Sequence, residues 1–545
     1  MEGLMMDDYP LTITPLLARA ERLFPSVRIA SRLSDRSIRA TDYSHVVSRA
    51  RSLAAALLAE GVRPGDRIAT LMWNHAAHLE AYLGVPASGA VLHTVNLRLP
   101  HDDLAYVINH AHDRWILVDD VLLPTLASVR ERIHPERVVV FAASGNGVPK
   151  EFEDYEQLLA RHPPATTLPC LRETDAALLC YTSGTTGRPK GVLYSHRSVV
   201  LHSMAEAFAL GLSQSDSVLL VVPMFHVNAW GLPFTMTMLG GRQVLPGPHL
   251  DAENLLDLLE RETVTVAAGV PSVWIRILEA LEKNPGRWKL SHQLRMVVGG
   301  AAMPEAMARQ FAVFGISTIQ GYGLTETTPV VALSIPKESM RSWDADRLFA
   351  QQARTGLSLP FVEVRIRAEN DELPWDGKAV GELQLRGPWI ARSYFDEPES
   401  AGKWTEDGWF RTGDVATIDS EGFIQIVDRM KDLVKSGGEW ISSVALENVL
   451  VGHPSVREAA VIARPDPKWG ERPLAFVVVR EGARVTADEL RALLAERYPK
   501  WWIPDEFRFV PSLPKTSTGK ISKLTLREGL TAASGPAAPI RSGPP

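Results

Sequence analysis

Before Val362, hydrophobic and polar positions alternate in blocks that fit buried strands joined by amphipathic helices. From Asp42, the segment DYSHVVSRARSLAAALLAEGVRPGDRIATLM predicts a long helix, a turn and then a buried strand. The turn is marked by Gly61, Pro64 and Gly65, which are residues that interrupt regular structure. This segment therefore forms one helix-strand unit.

The same alternation repeats between Leu178 and Gln320. Short apolar runs (SVLLVVP, VTVAAGV, RMVVGG) alternate with helical stretches (DAENLLDLLERET, PSVWIRILEALEK, PEAMARQFAVFG). Asp251 is a predicted helix N-cap, and Pro271 and Pro304 are predicted first-turn prolines. Alternation of this kind indicates parallel sheets covered by helices, an α/β fold. Ligands bind at the loops that follow strands in such sheets.

The pattern changes at Val362, where the shorter strands VEVRIR and GELQLRG and the turn NDELPWDGK predict a small antiparallel unit. Another boundary follows near Asp428, and the helices and strands beyond it predict a compact α+β domain. The predicted organisation is a large N-terminal domain at 1–428, a small C-terminal domain at 429–530 and a disordered tail at 531–545, which is rich in Pro, Gly, Ala and Ser.

Composition excludes several classes of protein. Hydrophobic residues make up 45% of the 545-residue chain and charged residues 22%, which indicates a soluble globular protein of several domains. The formal charge of -6 offers no basic field for nucleic acid, so no nucleic-acid partner is expected. The two cysteines, Cys170 and Cys180, exclude a disulfide scaffold, and both are expected to be buried.

The first ten residues, MEGLMMDDYP, carry acids where a signal peptide needs basic residues. Nothing later in the chain reaches the ~18 consecutive apolar residues of a membrane span. We therefore expect no transmembrane segment and a cytoplasmic location.

A glycine-rich loop, YTSGTTGRPKG, lies between the predicted strand AALLC and the predicted helix HRSVVLHSMAEAFAL. Glycines let backbone N–H groups approach an anion, and Lys190 supplies positive charge, so the composition suits phosphate. The spacing is not that of a Walker loop, because Pro189 stands at the second glycine position and Gly191 follows the lysine. On its residues alone, the loop is either a phosphate site or a flexible surface turn.

The loop closely resembles the phosphate-loop signature of the adenylate-forming superfamily, which contains acyl-CoA synthetases, luciferase-like enzymes and peptide-synthetase adenylation domains. Further matches follow in the order of that family: VPMFHVNAWG (222–231), VVGGAAMP (297–304), QGYGLTETTP (320–329), GWFRTGD (408–414), DRMKDLVKSGGEWIS (428–442) and PKTSTGK (514–520). Within the superfamily, the chain looks most like bacterial medium- and long-chain fatty acyl-CoA synthetases and their relatives that act on 3-methylthiopropionate.

The resemblance implies a ligase with two half-reactions. A carboxylate attacks the α-phosphate of ATP and releases pyrophosphate, and the thiol of coenzyme A then attacks the acyl adenylate. Mg²⁺ is the implied cofactor, because the first step joins two anions whose charge must be neutralised. The family also implies a β-barrel-like subdomain in the large domain, a mobile C-terminal domain and a possible homodimer.

The resemblance implies catalytic roles for three residues. Lys520 would contact the substrate carboxylate and the α-phosphate, His226 would lie near both groups, and Glu326 would bind Mg²⁺ together with Thr182. The loss of Lys520 should harm adenylation only.

The implied nucleotide contacts come from several motifs. They are Thr182, Ser183, Gly184, Thr185, Thr186, Gly187, Lys190, Gly300, Gln320, Gly321, Tyr322, Thr325, Asp414, Arg429, Lys431, Lys435 and Trp440. Tyr322 would stack on adenine, Asp414 and Arg429 would hold the ribose, and Lys431 would mark a hinge between domains. Val227 and Trp230 would line the acyl tunnel, and Gly437 and Gly438 would lie near the pantetheine.

Other interpretations stay open. Tyr322 and His226 could be ordinary core residues, and Lys431 and Lys435 could be solvated charges. The substrate is a medium- to long-chain fatty acid or, as the alternative, a short acid such as 3-methylthiopropionate. A peptide-synthetase adenylation domain is one alternative, but no carrier domain is recognised in this sequence. A luciferase-like oxygenase is another, because it would share every motif. A non-catalytic sensor is a third, and it would be expected to lose the catalytic residues.

Overall fold

The computed structural model describes residues 5–6, 8–182, 188–369, 371–516 and 520–533, with side chains as far as Leu530. The chain divides into two compact units. The first contains Met1–Thr412 and Thr417–Gln425, and the second contains Gly413–Ala416 and Ile426–Pro545. The second unit thus starts just before the predicted boundary at Asp428 and also takes in a short piece of an earlier strand.

The strands of the first unit span most of its length. They are β1 (Arg28–Arg32), β2 (Ile38–Asp42), β3 (Arg67–Leu71), β4 (Val91–Thr94), β5 (Asp113–Asp119), β6 (Arg137–Phe141), β7 (Glu153–Asp154), β8 (Ala176–Tyr181), β9 (Gly191–Ser195), β10 (Ser217–Leu220), β11 (Arg242–Leu245), β12 (Val266–Gly269), β13 (Arg295–Val298), β14 (Ser317–Gly323), β15 (Val330–Leu333), β16 (Leu357–Ser358), β17 (Glu363–Ala368), β18 (Asp371–Glu372) and β19 (Gly381–Arg386). Two further strands, β20 (Phe410–Ile418) and β21 (Ile424–Arg429), contribute residues to both units.

Helices connect these strands. They are α1 (Thr14–Leu23), α2 (Tyr43–Ala59), α3 (Ala76–Ala87), α4 (His101–His110), α5 (Leu123–Ala127), α6 (Tyr155–Arg161), α7 (His196–Leu210), α8 (Leu232–Leu239), α9 (Ala252–Arg261), α10 (Pro271–Lys283), α11 (Glu305–Val313) and α12 (Ala345–Gln352).

A nine-stranded sheet has the order β16-β15-β14-β13-β12-β10-β11-β1-β2. Its central strands, from β14 to β1, are parallel. Helices α8 to α11 make the crossovers between them, as the alternating pattern predicts. Buried side chains of these helices, such as Leu255, Trp274 and Phe311, form one core with Met296 and Val298 of β13.

A seven-stranded sheet has the order β7-β6-β5-β3-β4-β8-β9. Its strands are parallel except for the β8–β9 pair, which is antiparallel and flanks the predicted phosphate loop. Helix α2 and strand β3 confirm the predicted helix-strand unit. Gly84 lets α3 pack closely on α2, since a Cβ there would lie 2.4 Å from the Ala50 carbonyl oxygen.

Several local predictions can be checked directly. Asp251 caps α9 by accepting the Asn254 N–H at 3.1 Å, and Pro271 begins α10. Helix α11 begins at Glu305, so Pro304 is its N-cap residue and not a first-turn residue. The prediction that both cysteines are buried was wrong for Cys170, which is exposed because it lies in a surface segment between α6 and β8.

A third sheet has five strands in the order β18-β17-β19-β20-β21. The pairs β17–β18 and β17–β19 are antiparallel, in agreement with the short alternating strands predicted after Val362. This sheet ends at the strands that the two units share.

The second unit contains β22 (Val434–Ser436), β23 (Glu439–Ile441), β24 (Val456–Asp466), β25 (Gly470–Val479) and β26 (Glu506–Phe509), with α13 (Ser443–Val451), α14 (Ala487–Ala495) and α15 (Lys523–Ala533). Its sheet has the order β23-β22-β25-β24, and β26 pairs with β25. Residues of α13 and α14 pack into one core, and Leu526 of α15 packs into a second. This is the α+β domain that the sequence predicts. Among the helices of the described residues, none is long and apolar enough to cross a membrane.

Candidate active site

Three predicted motifs of the first unit lie on or after parallel strands of the nine-stranded sheet. Strand β10 leads to His226, β13 leads to Gly300, and β14 carries Gln320. In the pairing of β13 with β14, Val298 lies opposite Gln320. Because the carboxyl ends of parallel strands meet at one edge of a sheet, these motifs come together where such folds bind ligands.

The segment Val227–Gly231 forms a left-handed turn. Its φ angles are 44°, 53°, 47° and 59° from Val227 to Trp230, and 84° at Gly231. A left-handed conformation costs a non-glycine residue roughly 1–2 kcal/mol, so four of them cost on the order of 4–8 kcal/mol. The sequence left open a helix or a loop for this segment, and the structure shows neither an α-helix nor a relaxed loop. Such a turn persists only where surrounding contacts determine it.

Buried polar contacts fix the start of this turn. The Cys180 thiol donates to Asn228 Oδ1 at 3.2 Å and lies 3.2 Å from Thr94 Oγ1. Burial raises the pKa of Cys180 to about 11, so the thiol stays protonated. Just before the turn, Asn74 accepts the Met224 N–H at 2.8 Å and donates to two carbonyl oxygens at the end of β10. Residues of the seven-stranded sheet region therefore hold the chain that leads into the turn.

Trp230 contacts the glycine-rich segment that follows β13. A Cβ on Gly299 would lie 2.7 Å from Trp230 Cη2, so only glycine leaves room for the indole ring. This contact brings the predicted acyl-binding motif against the predicted nucleotide-binding motif. Val227 is buried in the same turn, and His226 is half-buried at its start, where its N–H donates to the Pro223 carbonyl oxygen at 3.0 Å.

Helix α7 packs against the end of the turn. A Cβ on Gly231 would lie 2.7 Å from His202 Nδ1. His202 Nε2 accepts the Val330 N–H at 3.1 Å, which places the ring proton on Nδ1. Burial lowers the pKa of His202 to about 3, so this imidazole is neutral.

Glu206 lies one helical turn beyond His202. Its Oε2 accepts the Thr235 hydroxyl at 2.6 Å, and the same hydroxyl lies 3.2 Å from the Gly231 carbonyl oxygen. Burial raises the pKa of Glu206 to about 8, so the carboxyl is mostly protonated at neutral pH. No motif in the sequence pointed to His202, Glu206 or Thr235. The one available signal was an acidic residue in the otherwise apolar run MAEAFAL.

A second group of contacts surrounds Glu326. The Tyr394 hydroxyl donates to the Glu326 carboxylate, and burial raises the pKa of Tyr394. Lys190 Nζ lies 5.1 Å from the centre of the Tyr394 ring, and the Lys190 N–H donates to Thr182 Oγ1 at 3.0 Å. Thr182, Lys190, Tyr394 and Glu326 thus form one chain of contacts. Sequence reasoning missed Tyr394, which belongs to none of the quoted motifs.

The oxygen donors of this group fit Mg²⁺. Thr182 offers a hydroxyl and Glu326 a carboxylate, both hard ligands. Within the described ranges, no cluster of three or more His, Cys, Asp or Glu residues could enclose a metal. A site with two protein oxygens suits an ion that keeps most of its water and phosphate ligands.

Other predicted nucleotide contacts of the first unit lie around β14. Gln320 Oε1 accepts the Met303 N–H at 2.7 Å, which ties this strand to the segment containing Gly300. The Thr325 carbonyl oxygen accepts the Tyr194 hydroxyl at 2.6 Å. Gly321 and Tyr322 follow Gln320 in β14. The predicted contacts Ser183, Gly184, Thr185, Thr186 and Gly187 lie outside the described residues.

In the second unit, Arg429 Nε lies 3.3 Å from the buried Asp414 carboxylate. The two predicted ribose contacts are therefore already neighbours. Burial and the nearby Arg429 lower the pKa of Lys431. Asp428, next to Arg429, is buried and accepts the Ser443 N–H at 2.6 Å, which gives it a structural role at the start of α13.

The hairpin of β22 and β23 accounts for four predicted site residues. Gly437 and Gly438 have φ of 62° and 90°, as a two-residue hairpin loop requires. Lys435 lies opposite Trp440, with its Nζ 4.4 Å from the ring centre. These residues are placed by hairpin geometry, and their roles near nucleotide and pantetheine stay predictions.

Lys520 ends the predicted PKTSTGK motif. Its N–H donates to Thr516 Oγ1 at 3.2 Å, and its carbonyl oxygen accepts the Thr516 N–H at 2.7 Å. These two bonds link Thr516 directly to Lys520, and residues 517–519 lie outside the described part of the chain.

Comparison with known proteins gives a consistent result. The profile described as AMP-binding enzyme matches residues 24–395, and that of the AMP-binding enzyme C-terminal domain matches residues 445–520. The chain is 46% identical to a long-chain-fatty-acid–CoA ligase of Thermus thermophilus, with 97% of this chain and 98% of that protein covered. It is 42% identical to a medium-chain-fatty-acid–CoA ligase of Ectopseudomonas oleovorans, with 97% of each covered.

A 3-methylmercaptopropionyl-CoA ligase of Ruegeria lacuscaerulensis is 41% identical to this chain, with 97% of this chain and 98% of that protein covered. Among solved structures, an anthranilate CoA ligase in complex with anthranoyl-AMP has a TM-score of 0.87 and 26% identity, with 97% of this chain and 99% of that chain covered.

The buried Glu206 should make the stability of the fold depend on pH. Its folded pKa of about 8 lies above the ordinary value of 4.5, so between these values the folded state holds an extra proton and loses stability as pH rises. The loss is about 1.4 kcal/mol per pH unit. Glu206→Gln keeps an oxygen for Thr235 but does not titrate. The difference between its Tm and that of the wild type should therefore shift in favour of the variant as pH rises from 5.5 to 7.5.

Thermal unfolding of both proteins across this pH range provides the measurement. Glu131→Gln is the matched control, because Glu131 is exposed and the substitution should leave the pH dependence unchanged. A constant Tm difference between Glu206→Gln and the wild type would show that Glu206 is ionised in the folded protein.

Proposed function

This chain belongs to the family of AMP-binding enzymes, and from that premise we propose that it converts a medium- to long-chain fatty acid into its coenzyme A thioester. It is an AMP-forming acid–thiol ligase, which forms an acyl adenylate from ATP and releases pyrophosphate and AMP. The observation that carries the choice of substrate is the 46% identity, over 540 residues, to a long-chain-fatty-acid–CoA ligase.

Adenylation requires a carboxylate to approach the α-phosphate, so positive charge must offset that of the phosphates. We assign this role to Lys190 in the first unit and to Lys520, which ends the PKTSTGK motif. Thr182 and Glu326 would hold Mg²⁺, which supplies further neutralisation of phosphate charge when it is bound. Tyr394 keeps the Glu326 carboxylate in place through its hydroxyl.

The remaining site residues are assigned by the same resemblance. Asp414 and Arg429 would bind the ribose, and Tyr322 the adenine ring. Val227 and Trp230 would contact the acyl chain, while Lys435 and Trp440 would serve the thioester-forming step. The support for the acyl assignment is the contact of Trp230 with Gly299, beside the strand that leads to Gly300.

A short acid such as 3-methylthiopropionate is the second candidate substrate. Its support is the 41% identity, over nearly the same share of the chain, to a 3-methylmercaptopropionyl-CoA ligase. The same fold and adenylation chemistry serve both, since chain length depends on the shape of the acyl pocket. We further propose a cytoplasmic location, which cell fractionation would test, and a homodimer, which light scattering on the purified protein would test.

A panel of acids from propionate and 3-methylthiopropionate to palmitate separates the two substrates. We expect AMP formation that depends on coenzyme A and is fastest with chains of eight to sixteen carbons. Thioester formation, measured by chromatography, gives the product. A maximum on short acids would favour the second candidate, and AMP formation without thioester would contradict the ligase assignment.

Lys520→Ala should separate the two half-reactions. Adenylate formation, measured as pyrophosphate release, should fall by roughly 10²-fold or more, because a positioned cation is lost from the reaction centre. Thioester formation from supplied acyl adenylate should stay within a few-fold of the wild type. An equal loss in both assays would remove Lys520 from the adenylation step, and Lys515→Ala serves as a control at the other end of the motif.

Tyr394→Phe should weaken Mg²⁺ binding. Without the hydroxyl, the Glu326 carboxylate loses the donor that orients it, and the loss of such a partner lowers metal affinity roughly 10–100-fold. Binding of Mn²⁺ with a non-hydrolysable ATP analogue, followed by electron paramagnetic resonance, gives a readout independent of turnover.

The matched control for this variant is Tyr155→Phe. The Tyr155 hydroxyl also donates to a buried glutamate, Glu80 at 2.9 Å, but lies outside the site motifs. If both variants bind Mn²⁺ like the wild type, Tyr394 does not position the metal ligand.

A further inference from the structure

We propose that His202 and Glu206 of α7 hold the left-handed turn at Val227–Gly231 and thereby control which acyl chains the enzyme accepts. Both are positioning residues, since they act through the turn and not on the substrate. The inference rests on the proposed function, because it concerns the acyl selectivity of that same site.

The turn needs support at both of its ends. Four consecutive non-glycine residues with positive φ do not hold this conformation by local preference. Near its start, Asn228 is fixed by the thiol of Cys180. At its end, Gly231 lies against α7 and the first turn of α8, and both supply polar side chains there.

His202 forms a fixed wall against Gly231. Its Nε2 accepts the Val330 N–H, and its ring packs edge-on against Trp389 with 6.0 Å between centres. The imidazole therefore has contacts on two sides that oppose any movement away from the turn. Gly231 is required here twice, by its φ of 84° and by the 2.7 Å between its absent Cβ and His202 Nδ1.

Glu206 fixes the junction between the turn and α8. Residues 202 and 206 are four apart in α7, so both face the same neighbour. The Glu206 carboxyl binds the hydroxyl of Thr235, which also approaches the Gly231 carbonyl oxygen. Glu206 is only 2% exposed, and burying a carboxyl costs more free energy than burying an apolar residue of similar size. We therefore attribute its structural contribution here to the hydrogen bond with Thr235.

The position of Gly231 affects the proposed acyl site through Trp230. Trp230 immediately precedes Gly231, and its indole ring fills the space above Gly299. If the backbone at Gly231 shifts, the Trp230 indole ring moves relative to Gly299, and the space available to an acyl chain beside the ring changes. His202, Glu206 and Thr235 thus set the position of the side chain that we assign to the acyl chain, without contacting that chain themselves.

The test compares Glu206→Leu with Glu206→Gln. Leucine removes the acceptor for Thr235, whereas glutamine keeps an oxygen there. For each variant, kcat and KM are measured with saturated acids from butyrate to palmitate, and KM is measured for ATP. We expect Glu206→Leu to change the ratio of kcat/KM between long and short acids by roughly tenfold, mainly through KM for the acid. KM for ATP should stay unchanged, and Glu206→Gln should keep the wild-type profile.

Thr235→Val and the double variant Glu206→Leu/Thr235→Val complete the test. If the hydrogen bond carries the effect, both single variants and the double variant should share one altered profile, because they remove the same contact. Additive changes would overturn the proposal. A uniform loss with every acid, or an unchanged profile in both single variants, would overturn it as well.

The His202 wall has its own test. Gly231→Ala should lose most adenylation activity, and His202→Ala/Gly231→Ala should recover part of it, because the second change removes the clash. Only partial recovery is expected, because alanine remains strained at the φ of 84°. An equal loss in Gly231→Ala and in the double variant would show that this backbone strain alone excludes a side chain at position 231, and it would remove His202 from the proposal. Every variant's acid profile is compared with that of the wild type. If the wild type prefers short acids, the proposed substrate is corrected and this inference can still be tested. If the wild type forms no thioester, both the ligase assignment and this inference are refuted.

Discussion

The strained turn at Val227–Gly231 is the constraint on which the candidate site depends. Its backbone is unfavourable for the residues that form it, so its geometry must come from elsewhere in the fold. Support arrives from Cys180 at the end of β8, from His202 and Glu206 of α7, and from Gly299 after β13. Because these elements belong to or flank both large sheets of the first unit, the geometry of the turn depends on contacts from both sheets.

The side chains around Glu326 are also held by contacts between segments that are distant in sequence. Thr182 and Lys190 come from the β8–β9 connection, Glu326 follows β14, and Tyr394 lies in the segment after β19. No two of these three regions are adjacent in sequence, yet a chain of hydrogen bonds and one cation–π contact joins them. Each side chain is thus oriented by another part of the unit before a substrate arrives, which is the preorganisation that charge-based catalysis requires.

Much of the fold could be predicted from the sequence because it rests on periodicity. The alternation of apolar strands with helices such as α9 and α10 predicts parallel sheets, and Asp251 marks a helix start by its chemistry. The order of the motifs pointed to the right family. The glycine pair at 437–438 could also have been recognised as a hairpin loop, which places Lys435 opposite Trp440 without any reference to function.

What the sequence did not show is tertiary in origin. Of the four residues with positive φ before Gly231, only Asn228 is of a type that tolerates this conformation, so the pattern favoured a helix or a loop. Buried polar residues such as His202, Glu206 and Tyr394 gain their roles from partners distant in sequence. Cys170 was misjudged because composition describes the average cysteine and not a surface segment.

The two cysteines of the chain differ in their exposure to solvent, and their thiols should therefore differ in reactivity. Cys170 is open to solvent, whereas Cys180 is buried and its hydrogen atom is committed to Asn228. Alkylating reagents reach the first thiol in the folded protein and the second only when the surrounding structure opens. The rate at which Cys180 becomes modified therefore reports how often the structure around the Val227–Gly231 turn opens and exposes the buried thiol to solvent.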